Sequence, residues 1–460
     1  LIALIVSFAF FMQQLDSTVI ATALPQMART FAETPVSVSS GITAYLLTLA
    51  VFIPSSSWAA DRFGSKTIFA GAILVFTLGS VLCGISNSLP AFVAARILQA
   101  VGGAMMLPVG RLAVLRTAEK HELLRTMQYI TIPGLVAPVL GPPLGGFITT
   151  YASWRWIFFL NIPIGLVGFA LVCIFMTNYK PDEQRPFDVY GFVLSGTGLS
   201  AAMYGFTLLG REDGQWLLTA AFLIFGVTVV ALAIRHGQRH PAPLVDLSAL
   251  RVPTFVLSTL TAGALYRMII GATPYLWPLM FQIAFGHTAF VSGLLVMACT
   301  GGDFGAQLFV RPVIRRFGFR PAILAAGICT TLLIFACASF NEQTPLIAIA
   351  TVLLLIGIFR SMQFTAMNTL TYSDIEPEYM SAASTLSSTI QQLAVGIGVA
   401  FGAFALNSIA FSRSGGHVLT TIDFQLAFVA VGIVGVVSTL LFLRLPPGAG
   451  MHMMQPAART

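Results

Sequence analysis

Apolar residues run almost unbroken from Leu1 to Met12, LIALIVSFAFFM, and continue past a polar island through QQLDSTVIATALP, Gln13–Pro25. Comparable runs recur along the chain, each about as long as the roughly 20 residues a helix needs to cross a hydrocarbon core. Fourteen fall at 1–24, 39–58, 67–86, 89–110, 127–150, 154–177, 188–209, 216–235, 254–282, 289–310, 320–340, 344–367, 381–407 and 420–444. Apolar runs of that length predict helices that satisfy their own backbone inside lipid, so the fold class is all-α and membrane-spanning. An even number of spans places both ends of the chain on one side.

Charge then orients the spans. With the N-terminus inside, the inner loops and tail hold Arg62, Lys66, Arg111, Arg116, Lys120, Arg125, Lys180, Arg185, Arg235, Arg239, Arg251, Arg311, Arg315, Arg316, Arg320, Arg444 and Arg459. The outer loops hold only Arg29, Arg155, Arg211 and Arg413. Seventeen against four decides the orientation, because Lys and Arg are retained on the cytoplasmic face. One inner loop departs from the rule, carrying Asp374, Glu376 and Glu378 with no cation. Trp154 and Trp156 mark an outer interface.

Composition agrees: 57% of residues are hydrophobic and 9% charged, with mean hydropathy +0.87. Soluble domains carry about 25% charged residues and could not cover their surface with so few. The net charge of +7 is scattered singly between apolar runs, which excludes a nucleic-acid interface. The five cysteines, Cys83, Cys173, Cys299, Cys329 and Cys337, sit inside apolar runs as small hydrophobes. Neither they nor the six histidines show a metal-ligand pattern, and no Walker A or Ser-His-Asp arrangement occurs. No metal site, no cofactor and no enzymatic activity are expected. Ala21-Thr22-Ala23 resembles a signal-peptidase site, but Asp16 in front of it and the missing basic flank argue against cleavage. A chain beginning at Leu1 without Met is expected to lack a short leading segment.

The loops repeat. DRFGSKTIFAG follows the second span and RRFGFRPAILAAG the tenth, their Arg-Phe-Gly triplets (Arg62, Arg316) 254 residues apart. Duplicated halves around a central site are a common transporter plan. The organisation read from this is an N-terminal six-helix bundle at 1–177, two inserted spans with linkers at 178–253, a C-terminal six-helix bundle at 254–444 and a cytoplasmic tail at 445–460.

Five charges remain inside spans: Asp16, Arg96, Arg267, Asp303 and Arg360. A charge at mid-membrane costs about 2.5–3.5 kcal/mol on insertion scales. The arginines can snorkel to an interface or form buried pairs; an aspartate is too short to snorkel. A carboxyl group in a low-dielectric cavity favours its neutral form and can take up a proton, or when ionised attract a cation. One residue holding either a proton or a cation is the core of an antiport mechanism, with Asp16, Arg96 and Asp303 as the proton-coupling candidates. Met105, Tyr266, Arg267, Arg360, Gln363 and Asn368 are candidates for lining a substrate cavity. The stretch GLVAPVLGPPLGG, Gly134–Gly146, puts prolines and glycines within a span, as either a helix-packing seam or a hinge or seal at a moving interface.

Together these residues resemble the major facilitator superfamily, and within it the fourteen-span drug:proton antiporters of the EmrB/QacA type, over essentially the whole chain. LDSTVIATALP is similar to the first-span motif of that family, with Ala21 where Asn is usual. ADRFGSK is similar to its cytoplasmic loop motif, with Ser57 for the leading Gly and Ser65 for one basic residue. RILQAVGGA, Arg96–Ala104, resembles the fourth-span motif R-x-x-Q-G-x-G. GLVAPVLGPPLGG resembles the fifth-span antiporter motif at Gly134, Gly141, Pro142, Gly145 and Gly146, and WRWIFFLNIPIG the opening of the sixth span.

The resemblance implies the major facilitator fold, two six-helix bundles plus two extra transmembrane helices, working by alternating access with spans 1, 4, 9 and 12 around the cavity. It implies proton coupling through Asp16 and Arg96. Asp61, Arg62, Gly64 and Lys66 would form a conformational latch, whose second copy carries Arg315 in place of Asp61. The expected function is proton-coupled export of amphipathic or cationic small molecules, multidrug efflux, across a bacterial inner membrane. The proton gradient would be the energy source and the transporter a monomer. A periplasmic adaptor with an outer-membrane channel stays open as a partner. A narrow-substrate exporter of a metabolite, peptide or sugar, or a nutrient symporter, remains the alternative.

The charge bias carries a direct test. A reporter that is active only in the periplasm, fused after Thr460, should be silent, and a cytoplasmic reporter there should be active; the reverse result overturns the orientation.

Overall fold

A computed structural model describes residues 2–117, 123–180, 186–209, 216–241, 243–414, 419–446 and 448–450. Lys120, Arg185, Arg211 and Arg459, and the tail from residue 451, lie outside the described residues. The chain is helical, with no strand among the described residues.

Each of the fourteen expected spans is a helix: α1 Ile2–Phe31, α2 Ser40–Phe52, α3 Ser65–Ile85, α4 Leu89–Thr117, α5 Leu123–Tyr151, α6 Asn161–Phe175, α7 Val189–Leu209, α8 Trp216–Gly237, α9 Ala262–Leu279, α10 Ala289–Phe317, α11 Phe319–Cys337, α12 Leu346–Thr371, α13 Met380–Ser414 and α14 Thr421–Phe442. Thirteen helices of the described residues are long and apolar enough to cross a membrane, and α7, at 21 residues, is also of span length. Wide i→i+5 turns flank α9, closed by Thr261 N–H to Val256 O and Phe285 N–H to Met280 O, both 3.1 Å. The chain is a multi-pass membrane protein.

Two compact units divide it. The first holds Leu1–Leu209, Asp213–Val245 and His287–Leu294; the second holds Asp246–Gly286 and Leu295–Thr460. The inserted spans α7 and α8 therefore group with the N-terminal bundle. They pair with each other where Gly226 meets the backbone of Ala202, and α7 meets α2 through the Phe52 and Phe192 rings, 5.2 Å apart. The first turns of α10 also belong to the first unit and the rest of that helix to the second.

The halves repeat in packing as well as in sequence. In the first unit α1 lies on α5, and α3 on α4 and α6; in the second α9 lies on α13, and α11 on α12 and α14. Gly64 and Gly318, the last residues of the two Arg-Phe-Gly triplets, both take left-handed backbone, φ +93° and +88°, immediately before the next helix. Only glycine adopts that conformation without steric cost, which accounts for its place in each copy.

Within lipid there is little hydrophobic gain from bringing helices together, so close approach rests on small residues. The α1–α5 seam shows this: a β-carbon on Gly134 would collide with Phe10 Cε1, and one on Gly145 would lie 2.7 Å from the Val19 carbonyl oxygen. On the other side of α5 a β-carbon on Gly146 would collide with Ala289 O, and one on Gly293 of α10 with Pro142 O. Glycine-to-backbone contact thus runs in both directions between α5 and the start of α10. The helix continues through Pro133, Pro138, Pro142 and Pro143 without interruption. The expected Pro-rich segment is thus a close-packed seam in this structure.

Gly145→Val should overpack α1 against α5 and lower stability by about 1–3 kcal/mol. It should show as a lower unfolding temperature in detergent. Gly71→Ala, where a β-carbon meets nothing within 4 Å, should be neutral; equal effects of the two would refute the seam.

Candidate functional site

Helix periodicity in the first unit brings one side chain or more from each of α1, α3, α4 and α6 to a common point. Asp16 of α1 is 1% exposed and Arg96 of α4 fully buried. Arg96 Nη1 donates to Asp16 Oδ2 at 2.6 Å and to Gln99 Oε1 at 2.5 Å. Gln99, three residues further along α4, donates from Nε2 to Asp16 Oδ1 at 2.8 Å and to Ser80 Oγ of α3 at 2.7 Å. Asn161, the first residue of α6, donates from Nδ2 to the same Asp16 oxygen at 2.9 Å and to Ser80 Oγ at 3.2 Å. Above the guanidinium lies the Tyr45 ring of α2, 4.1 Å away, a stacking that stabilises a desolvated cation. Arg96 Nε and Gln13 Oε1 are buried with no hydrogen-bond partner among the described residues.

This geometry answers why a carboxylate sits in so apolar a segment. An isolated buried charge would be prohibitive, whereas a hydrogen-bonded pair spreads the cost over several donors. Asp16 is expected to be coupled with Arg96, and the structure pairs them. Four neutral members of the network, Gln99, Asn161, Ser80 and Tyr45, are not among the candidates that charge and motif point to. Gln99 and Asn161 do stand inside the stretches RILQAVGGA and WRWIFFLNIPIG, and a polar amide within a span is the signal that marks them.

The second unit holds a different arrangement. Arg360 of α12 forms a two-pronged pair with Asp303 of α10, Nε to Oδ1 at 3.2 Å and Nη2 to Oδ2. The Asp303 side chain is 28% exposed, in contrast to the dry Asp16. Ser361 Oγ donates to the Asp303 carbonyl at 2.9 Å and accepts from Gln307 Nε2 at 2.9 Å. The Tyr266 hydroxyl donates to the Arg360 carbonyl. These charges are not copies of the first pair: 254 positions after Asp16 and Arg96 stand Ile270 and Ala350. Arg267 has no carboxylate partner among the described residues and donates to Ser258 O and Asn368 Oδ1, both at 2.9 Å. Tyr266, Arg267, Arg360 and Gln363 are buried, while Met105 and Asn368 are partly exposed.

The loop residues tie helix ends together. Lys66 Nζ donates to Cys173 O at 2.8 Å, occupying a terminal carbonyl of α6. Asn178 Oδ1 accepts the Lys66 N–H at 3.1 Å, near the start of α3. A β-carbon on Gly64 would collide with that same oxygen. Asp61 is partly exposed and Arg62 exposed, in the last turn of the short helix Ser55–Phe63.

Residues 6–399 match the model of the Major Facilitator Superfamily. The chain belongs to that superfamily. It is therefore a multi-pass membrane transporter rather than an enzyme. Among curated proteins it is similar to one named "Putative multidrug resistance protein MdtD" from Citrobacter koseri, 37% identical over 96% of this chain and 94% of that one. The protein of the same name from Salmonella typhimurium is 36% identical over 98% and 96%. In fold it is similar to the crystal structure of a D-xylose-proton symporter, with TM-score 0.68, 15% identity and 98% of each chain covered. A bacterial homologue of the human lysosomal transporter Spinster gives TM-score 0.66 at 15% identity, over 99% of this chain and 98% of that one.

Removing one partner of a buried pair strands the other charge, which costs about 3–5 kcal/mol. Arg96→Ala should lower the unfolding temperature of the purified transporter steeply. Combining Arg96→Gln with Asp16→Asn should recover much of the loss. Additive losses in the double variant would show that the two side chains are not energetically coupled.

Proposed function

We propose that this transporter is a proton-coupled antiporter that exports amphipathic or cationic small molecules, working by alternating access in a bacterial inner membrane with both termini cytoplasmic. The observation that carries this reading is the dry Asp16–Arg96–Gln99–Asn161 network joining α1, α4 and α6. The names of the curated relatives, which speak of multidrug resistance, support the choice of export and of cargo.

The chemistry follows from charge balance. With Asp16 ionised, the pair is neutral and α1 is held to α4. Proton uptake would cancel the carboxylate charge and leave Arg96 with Gln99 Oε1 and the Tyr45 ring as its remaining partners. An arginine is never deprotonated under these conditions, so the weakened contact is the mechanical consequence of the proton. A change of that size, biased by one proton, is enough to shift a two-state equilibrium whose states differ by a few kcal/mol. Asp303 with Arg360 is a second proton-responsive pair, and its partial exposure makes it the more accessible to solvent. Asp61, Arg62, Gly64 and Lys66 act as a latch at the helix ends they occupy. Energy comes from the proton gradient with no bound cofactor, and the monomer is the working unit.

In proteoliposomes with an imposed pH gradient, the protein should drive dye or drug transport that Asp16→Asn reduces steeply, while energy-independent exchange survives. Asp303→Asn should have the smaller effect. Asp16→Asn transport at the wild-type rate with an unchanged pH profile would make Asp16 structural. Gradient-driven transport confined to a single metabolite class would favour a narrow-substrate exporter instead.

A further inference from the structure

The inserted spans carry a cluster that the transport reading does not use. Asp188 immediately precedes α7 and caps it, accepting the Gly191 N–H on Oδ1 at 2.8 Å. Its other oxygen accepts the Leu244 N–H at 3.2 Å, which folds the linker after α8 back onto the start of α7. His236, in the last turn of α8, places Nε2 2.8 Å from Asp188 Oδ1. His240 follows one turn later, kept in helical register by its N–H bond to the His236 carbonyl at 2.9 Å. Spacing of four residues puts two imidazoles on one helix face. Their rings are 5.1 Å apart. One ligand atom from each of the three side chains lies within 4.8 Å of the others. Burial pushes the Asp188 carboxyl up, but the Gly191 N–H, His236 and the Leu244 N–H together outweigh it and hold the group below the usual carboxylate range.

We propose that Asp188, His236 and His240 bind a divalent first-row cation of the zinc class, stapling the start of the first inserted span to the end of the second. Two imidazole nitrogens and a carboxylate oxygen are a recurrent zinc donor set, with a fourth position left to water. Imidazole-rich sites favour zinc, copper and nickel over magnesium or calcium. The two backbone N–H bonds to Asp188 are the kind of outer-shell support that fixes a ligating carboxylate. Asp188 is almost fully covered whereas the His236 side chain is 24% exposed, so an ion has a route in from the histidine side. The hydrogen bond between His236 and Asp188 occupies the position the ion would take, so loading replaces that bond with two metal bonds.

The test uses the full-length transporter, purified in detergent without a polyhistidine tag, stripped with a chelator and titrated with Zn²⁺ against a chromogenic competitor. One equivalent should bind, and Co²⁺ in its place should show the visible absorption of a low-coordinate nitrogen and oxygen site. His240→Ala should weaken Zn²⁺ binding by about tenfold or more and remove the cobalt spectrum, with the gel-filtration profile and helical circular dichroism unchanged. His236→Gln should do the same; if it fails to fold, His240→Gln, beyond the end of α8, carries the comparison. Absence of stoichiometric Zn²⁺ binding in the wild type, or an unchanged affinity in His240→Ala, would overturn the site and leave Asp188–His236 as a hydrogen-bonded cap.

Discussion

Lipid offers no hydrogen bonds, and that one constraint runs through the whole molecule. Every backbone polar group in a span has to be satisfied by its own helix, and every charge by another side chain. Asp16 meets the demand with three side-chain donors, and Arg96 with a carboxylate, an amide oxygen and an aromatic face. The network is not additional to the helix packing, because its hydrogen-bonded members come from four spans. Holding it together sets the relative rotation of α1, α3, α4 and α6.

The same constraint explains the glycines. Since burying apolar side chains against one another gains little over lipid, tight seams are made by removing side chains. On α5 the result is a helix whose glycines receive α1 side chains such as Phe10 and Thr18 on one side and meet the backbone of the first turns of α10 on another. Backbone-to-backbone seams have no soft side chains to deform, so they are suited to surfaces that dock in one arrangement or another and little between. The second unit uses the same device at α9–α13, where Gly271 and Gly398 each meet a carbonyl of the facing helix.

The polar chemistry, by contrast, is not duplicated. The Arg-Phe-Gly turns coincide in sequence and in backbone conformation, yet the charged pairs fall at unrelated positions and differ in exposure. A duplicated scaffold keeps what holds helices together and leaves the sites free to diverge. The inserted spans extend this: they pack as a hairpin on the first unit and bring their own polar cluster at its end.

What the chain determined by itself is what depends on local pattern. Apolar run length set the number of helices, loop cations set the expected orientation, and the Arg-Phe-Gly turns betrayed the repeat, since each is written in neighbouring residues. The cost of charge in lipid also makes Asp16, Arg96, Asp303 and Arg360 conspicuous in the bare sequence. Tertiary structure alone decided which of them meet. Asp16 and Arg96 are 80 residues apart, Asp303 and Arg360 57, and Asp188 and His236 48. Gln99 and Asn161 carry no charge to notice, and became part of the site only when helix rotation aimed their amides at Asp16. The four-residue spacing of His236 and His240 is written in the sequence, but nothing in it shows that Asp188, at the start of another span, comes to meet them. A hydrogen bond or a metal site is a matter of a few ångströms between atoms, and spacing along a chain fixes such distances only within one helical turn.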